Sequence, residues 1–526
     1  MPLTPSLRKR FAYKLAGNIA ALALGVIALA ISSRALGPSD FGRFEFLTNN
    51  FRLVLDTLAL QLPVAYFNWI SRKGHKENTD YATGFTFFWS AGIMGIFAIF
   101  IYATEWFGVS GWLWPDVHAS YLWYALALTS AVFFFQLCIY LSDGLALTVG
   151  LEKIRLAQNV LKTAGILILF GWGLLNLSAY FLIQTWVVIF SIAASMIWLA
   201  SRNAFSVRIF KCWSIKDDEK ARFRDFAISY ARPLMASMLV GFAYIYFDRW
   251  FLQLIAGSSE QGYYALSERL GSVIFIFTSA MTPLLTREFA FAHEEGDTAR
   301  LVRLFERIKI FIFIAAVAGC FMSVQSGAIV ELFAGGKYRE AITPVAIMAL
   351  FPIHQTFGQL SGALLISTGQ TRLYARLAIA VMLISAPVSY LLLAPHDFLI
   401  SGLALGATGL AIKMVLIQFF GTNAQLYFNT KFLGISFSKW VILQFKVIGA
   451  VYAISLVSYF MSGQISDGFL LSLNTFGIAQ SLFNSVLHMV LSGIFYVAMI
   501  VAFLLLMPNF VGIDRRDLTG WLGRST

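Results

Sequence analysis

The chain has 526 residues, of which 59% are hydrophobic and only 13% are charged. Soluble globular domains carry about 25% charged residues and about 45–50% apolar ones, so this composition excludes an ordinary soluble protein. The formal net charge of +12 could suggest nucleic-acid binding, but the positions of the basic residues argue against a nucleic-acid partner.

Apolar runs of about 20 residues, the length that crosses a ~30 Å hydrocarbon core, recur along the whole chain. Such runs must be helical, because the backbone finds no water to hydrogen-bond inside a bilayer. The sequence therefore predicts an all-α polytopic membrane protein with about fourteen transmembrane helices. The predicted spans are 14–33, 51–70, 84–103, 121–142, 158–176, 179–199, 231–255, 270–289, 308–333, 343–366, 375–394, 398–421, 440–461 and 484–506.

Most of the 39 Lys and Arg residues fall in alternate loops, on the side that also holds both chain ends. Cytoplasmic loops of membrane proteins carry this excess of positive charge. We therefore expect a multi-pass protein of the cell inner (plasma) membrane with both termini in the cytoplasm. The basic N-terminus followed by an apolar run is typical of a signal peptide, but further helices follow, so we expect an uncleaved first helix.

A short glycine motif occurs twice, at an offset of 220 residues from Gly37 to Gly257. Residues 37–42 read Gly-Pro-Ser-Asp-Phe-Gly, and residues 257–262 read Gly-Ser-Ser-Glu-Gln-Gly. Each copy follows the first helix of a six-helix block, which predicts two blocks related by a pseudo-twofold axis along the membrane normal. The predicted parts are an N-terminal lobe 1–200, a basic cytoplasmic linker 201–228, a C-terminal lobe 229–425, and two additional helices with a cytoplasmic tail, 426–526.

The second predicted helix carries the most informative polar residues. Asn49, Arg52 and Asp56 share one helical face. An ionised side chain in a span is costly, so this face should point into the helix bundle. The planar guanidinium of Arg52 suits a pyrophosphate, which Asp56 would help to orient. The alternative is an Arg52–Asp56 pair that only packs two helices, and both interpretations stay open.

Other polar residues within the predicted spans are candidates for substrate contact. In the predicted repeat, Arg269 falls at the position of Asn49, so both lobes can offer an arginine to a central cavity. The remaining candidates are Gln355, Gln359 and Lys413, together with a stripe formed by Gln136, Tyr140 and Asp143. Helix packing is the alternative role for each of them. The prolines predicted to kink their helices are Pro63, Pro283, Pro352 and Pro387.

Three further charged residues, Arg34, Asp248 and Arg249, lie at predicted outer helix ends. Long charged side chains at such positions can reach water at little cost, which favours a role as interface anchors. Pairing between the lobes as a gate is the other interpretation, and the sequence does not decide between the two.

Residues 33–44, Ser-Arg-Ala-Leu-Gly-Pro-Ser-Asp-Phe-Gly-Arg-Phe, resemble the opening segment of polysaccharide-transporter and O-antigen flippase proteins. Asp248-Arg249 followed by residues 257–264 resembles their second-lobe counterpart. The resemblance implies the multidrug/oligosaccharidyl-lipid/polysaccharide exporter superfamily and a two-lobe alternating-access carrier. It also implies a lipid-linked oligosaccharide as substrate, moved outward on undecaprenyl pyrophosphate, and association with the polysaccharide assembly machinery. By position, Arg52 resembles the second-helix arginine of lipid II flippases.

Two other functions compete with a flippase. A multidrug/cation antiporter of the same superfamily typically needs an acid in its first helix, and residues 11–36 contain no Asp or Glu. A membrane polysaccharide polymerase or ligase usually has a sizeable outer loop with catalytic residues. The longest outer loop here, 104–120, is instead rich in Trp, which is typical of an interfacial belt. No enzyme motif and no cofactor are expected, and coupling to protons or sodium stays open.

Overall fold

Every regular element of the described chain is helical. The computed structural model describes residues 7–73, 80–202, 204, 217–398, 400–470 and 478–508. Within these ranges no β-strand occurs, which confirms the predicted all-α class. The centre of the predicted linker and the C-terminal tail lie outside the described residues.

Eighteen α-helices follow one another in the described ranges, and a 3₁₀-helix, Gly336–Ala341, precedes the thirteenth. The first eight are α1 (Leu7–Leu58), α2 (Leu62–Lys73), α3 (Asp80–Trp106), α4 (Ser110–Leu113), α5 (Ala119–Gly144), α6 (Thr148–Gly171), α7 (Leu177–Ser201) and α8 (Asp217–Ser272). The others are α9 (Phe275–Glu294), α10 (Thr298–Glu306), α11 (Ile308–Val324), α12 (Ser326–Ala334), α13 (Ile342–Met348), α14 (Phe351–Ser367), α15 (Thr371–Leu393), α16 (Gly406–Leu433), α17 (Phe437–Leu470) and α18 (Ile478–Leu506).

Ten helical segments of the described chain are long and apolar enough to cross a membrane, which makes this a multi-pass membrane protein. Each of the fourteen predicted spans overlaps at least one helix. The number of crossings stays a prediction, since α1, which is interrupted at Gly37, runs through two predicted spans. Its apolar part, Ala20–Leu58, counts as a single segment of 39 residues.

The described residues form two compact units, 1–262 and 263–526. The first unit contains α1 to α7 and most of α8, and the second contains the end of α8 and all later helices. The predicted division into two lobes, a linker and two additional helices stays a prediction.

α1 and α8 each contain one glycine with a non-helical backbone. Gly37 has φ 73° and ψ 174°, and Gly257 has φ 81° and ψ −178°. Backbone angles in this region are essentially restricted to glycine, because a Cβ atom is strained there. The two glycines are the equivalent first positions of the repeated motif, so both copies interrupt their helix with the same backbone conformation.

The helical path breaks between α1 and α2. Leu60 has φ 50° and Gln61 has φ 62°, angles that residues other than glycine adopt rarely. Pro63 lies in the first turn of α2, where its missing N–H sacrifices no hydrogen bond. Thus the predicted kink at Pro63 is wrong in detail: two helices meet at a break that precedes the proline. Pro352 likewise begins a helix, α14, whereas Pro283 and Pro387 lie inside α9 and α15.

Aromatic side chains form much of the core of the first unit. Phe44 of α1 contacts Tyr180 and Phe181 of α7, with ring centroids 4.6 and 4.8 Å apart. Two helical turns further along α1, Phe51 packs against Phe97 of α3, with ring centroids 4.9 Å apart. Aromatic pairs at these separations add to the free energy gained from burial, so α1 is held firmly where it carries the polar residues described below.

The start of α8 belongs to the predicted linker, yet it packs onto α2. Phe223 is 1% exposed, and its ring centroid lies 5.5 Å from that of Trp69. Asn68 donates a hydrogen bond of 3.1 Å to the hydroxyl of Tyr230. These contacts fix residues 223–230 on α2, so this end of the predicted linker packs against the first unit.

The last two helices pack into the core of the second unit. Trp440 of α17 is 2% exposed and stacks on Phe357 of α14, with centroids 5.6 Å apart. From α18, the hydroxyl of Tyr496 donates a hydrogen bond of 2.8 Å to the carbonyl of Val317 in α11. Both helices are therefore integral to this unit.

Candidate functional site

A cavity of about 460 Å³ lies within the first unit, where the end of α1, the start of α2 and the middle of α5 meet. Its volume is in the range of small-molecule binding sites. The lining residues are Arg52, Asp56, Gln61, Pro63, Val64, Val132, Phe133, Gln136, Leu137 and Tyr140. Half of these lining residues are polar or charged, and half are apolar.

Arg52 and Asp56, in the last turns of α1, are the charged residues that line the cavity. Both side chains are exposed, although the helix that carries them is long and apolar. Arg52 acts on Asp56 through its charge, but among the described residues neither side chain has a hydrogen-bond or ion-pair partner. The guanidinium fork is therefore available to a ligand.

Two residues of α5, Gln136 and Tyr140, face these charges. They are one helical turn apart, and both line the cavity. The Tyr140 hydroxyl interacts with Gln136 and with the charge of Asp56. Two of the three members of the predicted fourth-helix stripe thus join the pair on α1. Its third member, Asp143, does not line the cavity.

The break between α1 and α2 forms the third side of the cavity. Gln61, which the sequence analysis did not single out, lines it together with Pro63 and Val64. The carbonyl of Gln61 accepts the N–H of Val64 at 3.1 Å and begins the first turn of α2. The N-terminus of a helix carries partial positive charge, so α2 adds to the positive potential supplied by Arg52. The only hint in the sequence was a glutamine and a proline interrupting an apolar run.

Asn49, the third residue of the predicted α1 face, does not line the cavity. Its amide donates hydrogen bonds to the backbone carbonyl of Glu45 at 2.8 Å and to the Glu45 carboxylate at 2.9 Å. Glu45 is itself buried, at 3% exposure. Asn49 therefore helps to satisfy a buried acid within its own helix.

Four predicted substrate contacts lie in the second unit. Arg269 is exposed, whereas Gln355 and Gln359 are partly buried. Lys413 is fully buried and interacts with neighbouring groups. None of the four is among the residues that line the cavity of the first unit, and their role in substrate binding stays a prediction.

The residues predicted as interface anchors or gates are less accessible than their positions near helix ends suggest. Asp248 and Arg249 are buried, at 6% and 7% exposure, and Arg34 is partly buried. All three interact with other groups of the chain. Whether these residues act as interface anchors or as a gate stays a prediction.

The profile of the family described as polysaccharide biosynthesis protein matches residues 7–288, more than half of the chain. The chain belongs to this family. The matched region includes every residue that lines the cavity. It confirms the resemblance inferred from the glycine motifs.

Solved structures show that this polysaccharide biosynthesis protein shares its fold with known transporters. The lipid II flippase MurJ in an inward closed conformation superposes with a TM-score of 0.67 and 12% identity, over 94% of this chain and 99% of that chain. An inward-facing multidrug resistance transporter of the MATE family and MOP superfamily gives 0.62 and 16%, over 78% and 94%. A MOP superfamily transporter from Pyrococcus furiosus gives 0.53 and 15%, over 82% and 97%. No curated protein matches the chain.

Proposed function

We propose that this protein is a flippase that moves a polyprenyl-pyrophosphate-linked oligosaccharide from the cytoplasmic to the outer leaflet by alternating access. The product would supply the biosynthesis of a surface polysaccharide. The observation that carries the proposal is Arg52, an arginine without a protein partner in the described structure, facing a cavity inside a bundle of apolar helices. Charged residues in membrane spans cost about 2.5–3.5 kcal/mol on insertion scales and mark functional positions by default.

In this proposal Arg52 binds the pyrophosphate. Its two parallel N–H groups match two phosphate oxygens, and the first turn of α2 favours the same negative charge. Asp56, one turn along α1, acts on the guanidinium through its charge alone. Arg52 and Asp56 carry opposite charges, so the cavity is close to neutral without substrate. When the pyrophosphate is bound, its negative charge makes the filled cavity negative.

The neutral polar groups would contact the sugar next to the pyrophosphate. The amides of Gln61 and Gln136 and the hydroxyl of Tyr140 can each donate and accept hydrogen bonds, as sugar hydroxyls do. Val64, Phe133 and the other apolar lining residues offer a surface for the apolar face of a sugar ring or for the first isoprene unit. A cavity of about 460 Å³ suits the headgroup and its nearest sugar, with the rest of the oligosaccharide outside it.

A multidrug/cation antiporter is the second candidate function. Asp56 gives this view one supporting observation, since it is an acid that lines the cavity. An antiporter needs this acid to bind the cation, so it predicts that Asp56 is essential and Arg52 is dispensable. The flippase predicts the reverse order of importance.

Reconstitution tests the proposed function directly. Purified protein in liposomes that contain a polyprenyl-pyrophosphate oligosaccharide should expose the inner-leaflet sugar to a membrane-impermeant glycosidase added outside. Liposomes with the Arg52→Ala variant are the matched control. A polymerase or ligase would instead change the mass of the recovered glycolipid, and an antiporter would leave its distribution unchanged.

We further infer that the protein resides in the inner membrane with both termini in the cytoplasm and acts beside the polysaccharide assembly machinery. A reporter active only in the cytoplasm should be active when fused after Arg222 or after Arg516 and silent within residues 116–119. The expectation follows from the excess of Lys and Arg in alternate loops. Any inversion among the three fusions contradicts this orientation.

A further inference from the structure

The loop between α3 and α5 lies as a strap on the first unit; the strap is defined here as residues 109–118, which include α4. From α8, the indole N–H of Trp250 donates to the carbonyl of Trp112 at 2.9 Å, and the amide of Gln253 donates to the carbonyl of Pro115 at 3.0 Å. The two tryptophan rings also meet, with centroids 5.2 Å apart. The strap is thus anchored to α8 by hydrogen bonds and by an aromatic contact.

Asp116 joins the strap to α1, directly after the first copy of the glycine motif, and to α8 within the second copy. Arg43 of α1 donates from Nη2 to the Asp116 carboxylate at 3.0 Å and from Nε to the Asp116 carbonyl at 2.8 Å. Ser258 of α8 hydrogen-bonds the same carboxylate through its side chain and its backbone. Burial is the largest single influence on Asp116 and raises its pKa, but the hydrogen bonds from Ser258 and Arg43 and the charge of Arg43 together outweigh burial. The pKa of Asp116 is therefore held below its usual value, and the carboxylate stays charged.

The two motif copies also touch each other directly and reciprocally. A Cβ atom on Gly42 would lie 1.8 Å from the carbonyl oxygen of Ser258, and one on Gly262 would lie 2.1 Å from the carbonyl oxygen of Pro38. Both pairs are related by the offset of 220 residues, so the same contact occurs twice with the roles exchanged. Only glycine permits this approach of two backbones.

We propose that the strap and the paired glycine motifs form a releasable seal at the outer end of the first unit, locked by Arg43, Asp116 and Ser258. The inference rests on the proposed transport, which requires the cavity to open to the outside. One uninterrupted stretch of α1, residues 38–58, carries both Arg43 and Arg52, roughly 14 Å apart along the helix. Parting the motifs would therefore move the wall that binds the substrate.

Accessibility of the cavity from outside tests the seal without any substrate. The reporter is Val132→Cys, which lines the cavity, in a chain whose three native cysteines are replaced. A membrane-impermeant maleimide added outside should label this cysteine about fivefold faster when Asp116→Asn removes the lock. Loss of a partly exposed ion pair can raise the population of the open state by about this factor. Asp40→Asn is the matched control. Asp40 also pairs with Arg43, at 2.9 Å, but both residues lie on α1, so this ion pair does not hold the strap.

Gly42→Ala is a second, independent variant. The added Cβ would meet a backbone carbonyl, so the seal should part and outside labelling of Val132→Cys should rise as well. Gly111→Ala in the strap is its control, since nothing lies within 4 Å of a Cβ there. Equal labelling in the test and control variants would overturn the inference.

A reversible crosslink separates the seal from the proposed function. With Asp116→Cys and Ser258→Cys, oxidation should stop polysaccharide export, and a reductant should restore it. Normal export by the crosslinked protein means that the seal does not open during transport. If the labelling results hold but the wild-type protein moves no glycolipid in liposomes, the seal stands and the proposed function fails.

Discussion

Replacing Arg52 with alanine is expected to remove most surface-polysaccharide export while the protein still accumulates in the membrane. The arginine faces the cavity without a protein partner in the described structure, so its loss leaves no buried charge stranded by a broken ion pair. Charge-assisted hydrogen bonds contribute about 1.5–3 kcal/mol each, which corresponds to a roughly 10- to 100-fold loss of export. Arg52→Lys keeps the charge but not the planar fork, so it should retain part of the activity.

Export and membrane abundance should be measured together for Arg52→Ala, Asp56→Asn and the double variant. If the two residues were only a structural pair, removing Arg52 would lower abundance, and neutralising Asp56 as well would restore both abundance and export. Arg303→Ala, which removes an exposed arginine of α10, is the matched control and should export normally. Normal export by a well-expressed Arg52→Ala protein would discard the binding role.

Gly37→Ala and Gly257→Ala are each expected to destabilise the protein by about 1–3 kcal/mol, because alanine is strained at the backbone angles of these glycines. At Gly257 no atom lies within 4 Å of the added Cβ, so the effect there isolates backbone strain from steric contact. The measurements are membrane abundance and the melting temperature in detergent.

The control for this pair is Gly25→Ala, in the same helix as Gly37. Gly25 is helical and a Cβ there meets nothing within 4 Å, so alanine should be neutral or should stabilise by up to about 1 kcal/mol. Similar losses for both test variants would support the repeat. A loss at only one of them would mean that the two copies of the motif differ in their structural role.

Local properties of the sequence predicted the fold class and the charges of the site. The thickness of the bilayer sets the length of an apolar run that can span it, so membrane helices can be predicted without knowing how they pack. The 3.6-residue period places Arg52 and Asp56 on one face, and likewise Gln136 and Tyr140. That these two faces meet is a long-range fact of packing, which one sequence does not contain.

The same period groups Asn49 with Arg52 and Asp56, although Asn49 does not line the cavity, because the period identifies a face but not how far along the helix a cavity extends. A short amide can also turn back onto its own helix, as Asn49 does towards Glu45. Position near a helix end was a poor guide to the exposure of Asp248 and Arg249, since both side chains are buried. Gln61 was missed because the break at Leu60 and Gln61 uses none of the usual turn residues.

The break before Pro63 makes α2 a short lever with two differently held ends. Its 12 residues span about 18 Å, so a tilt of 10° at the cavity end would displace the far end by roughly 3 Å. At that far end Trp69 rests on Phe223. A ligand that repositions Gln61 would thus change the surroundings of the Trp69 indole further along α2. The fluorescence of Trp69 can report this change.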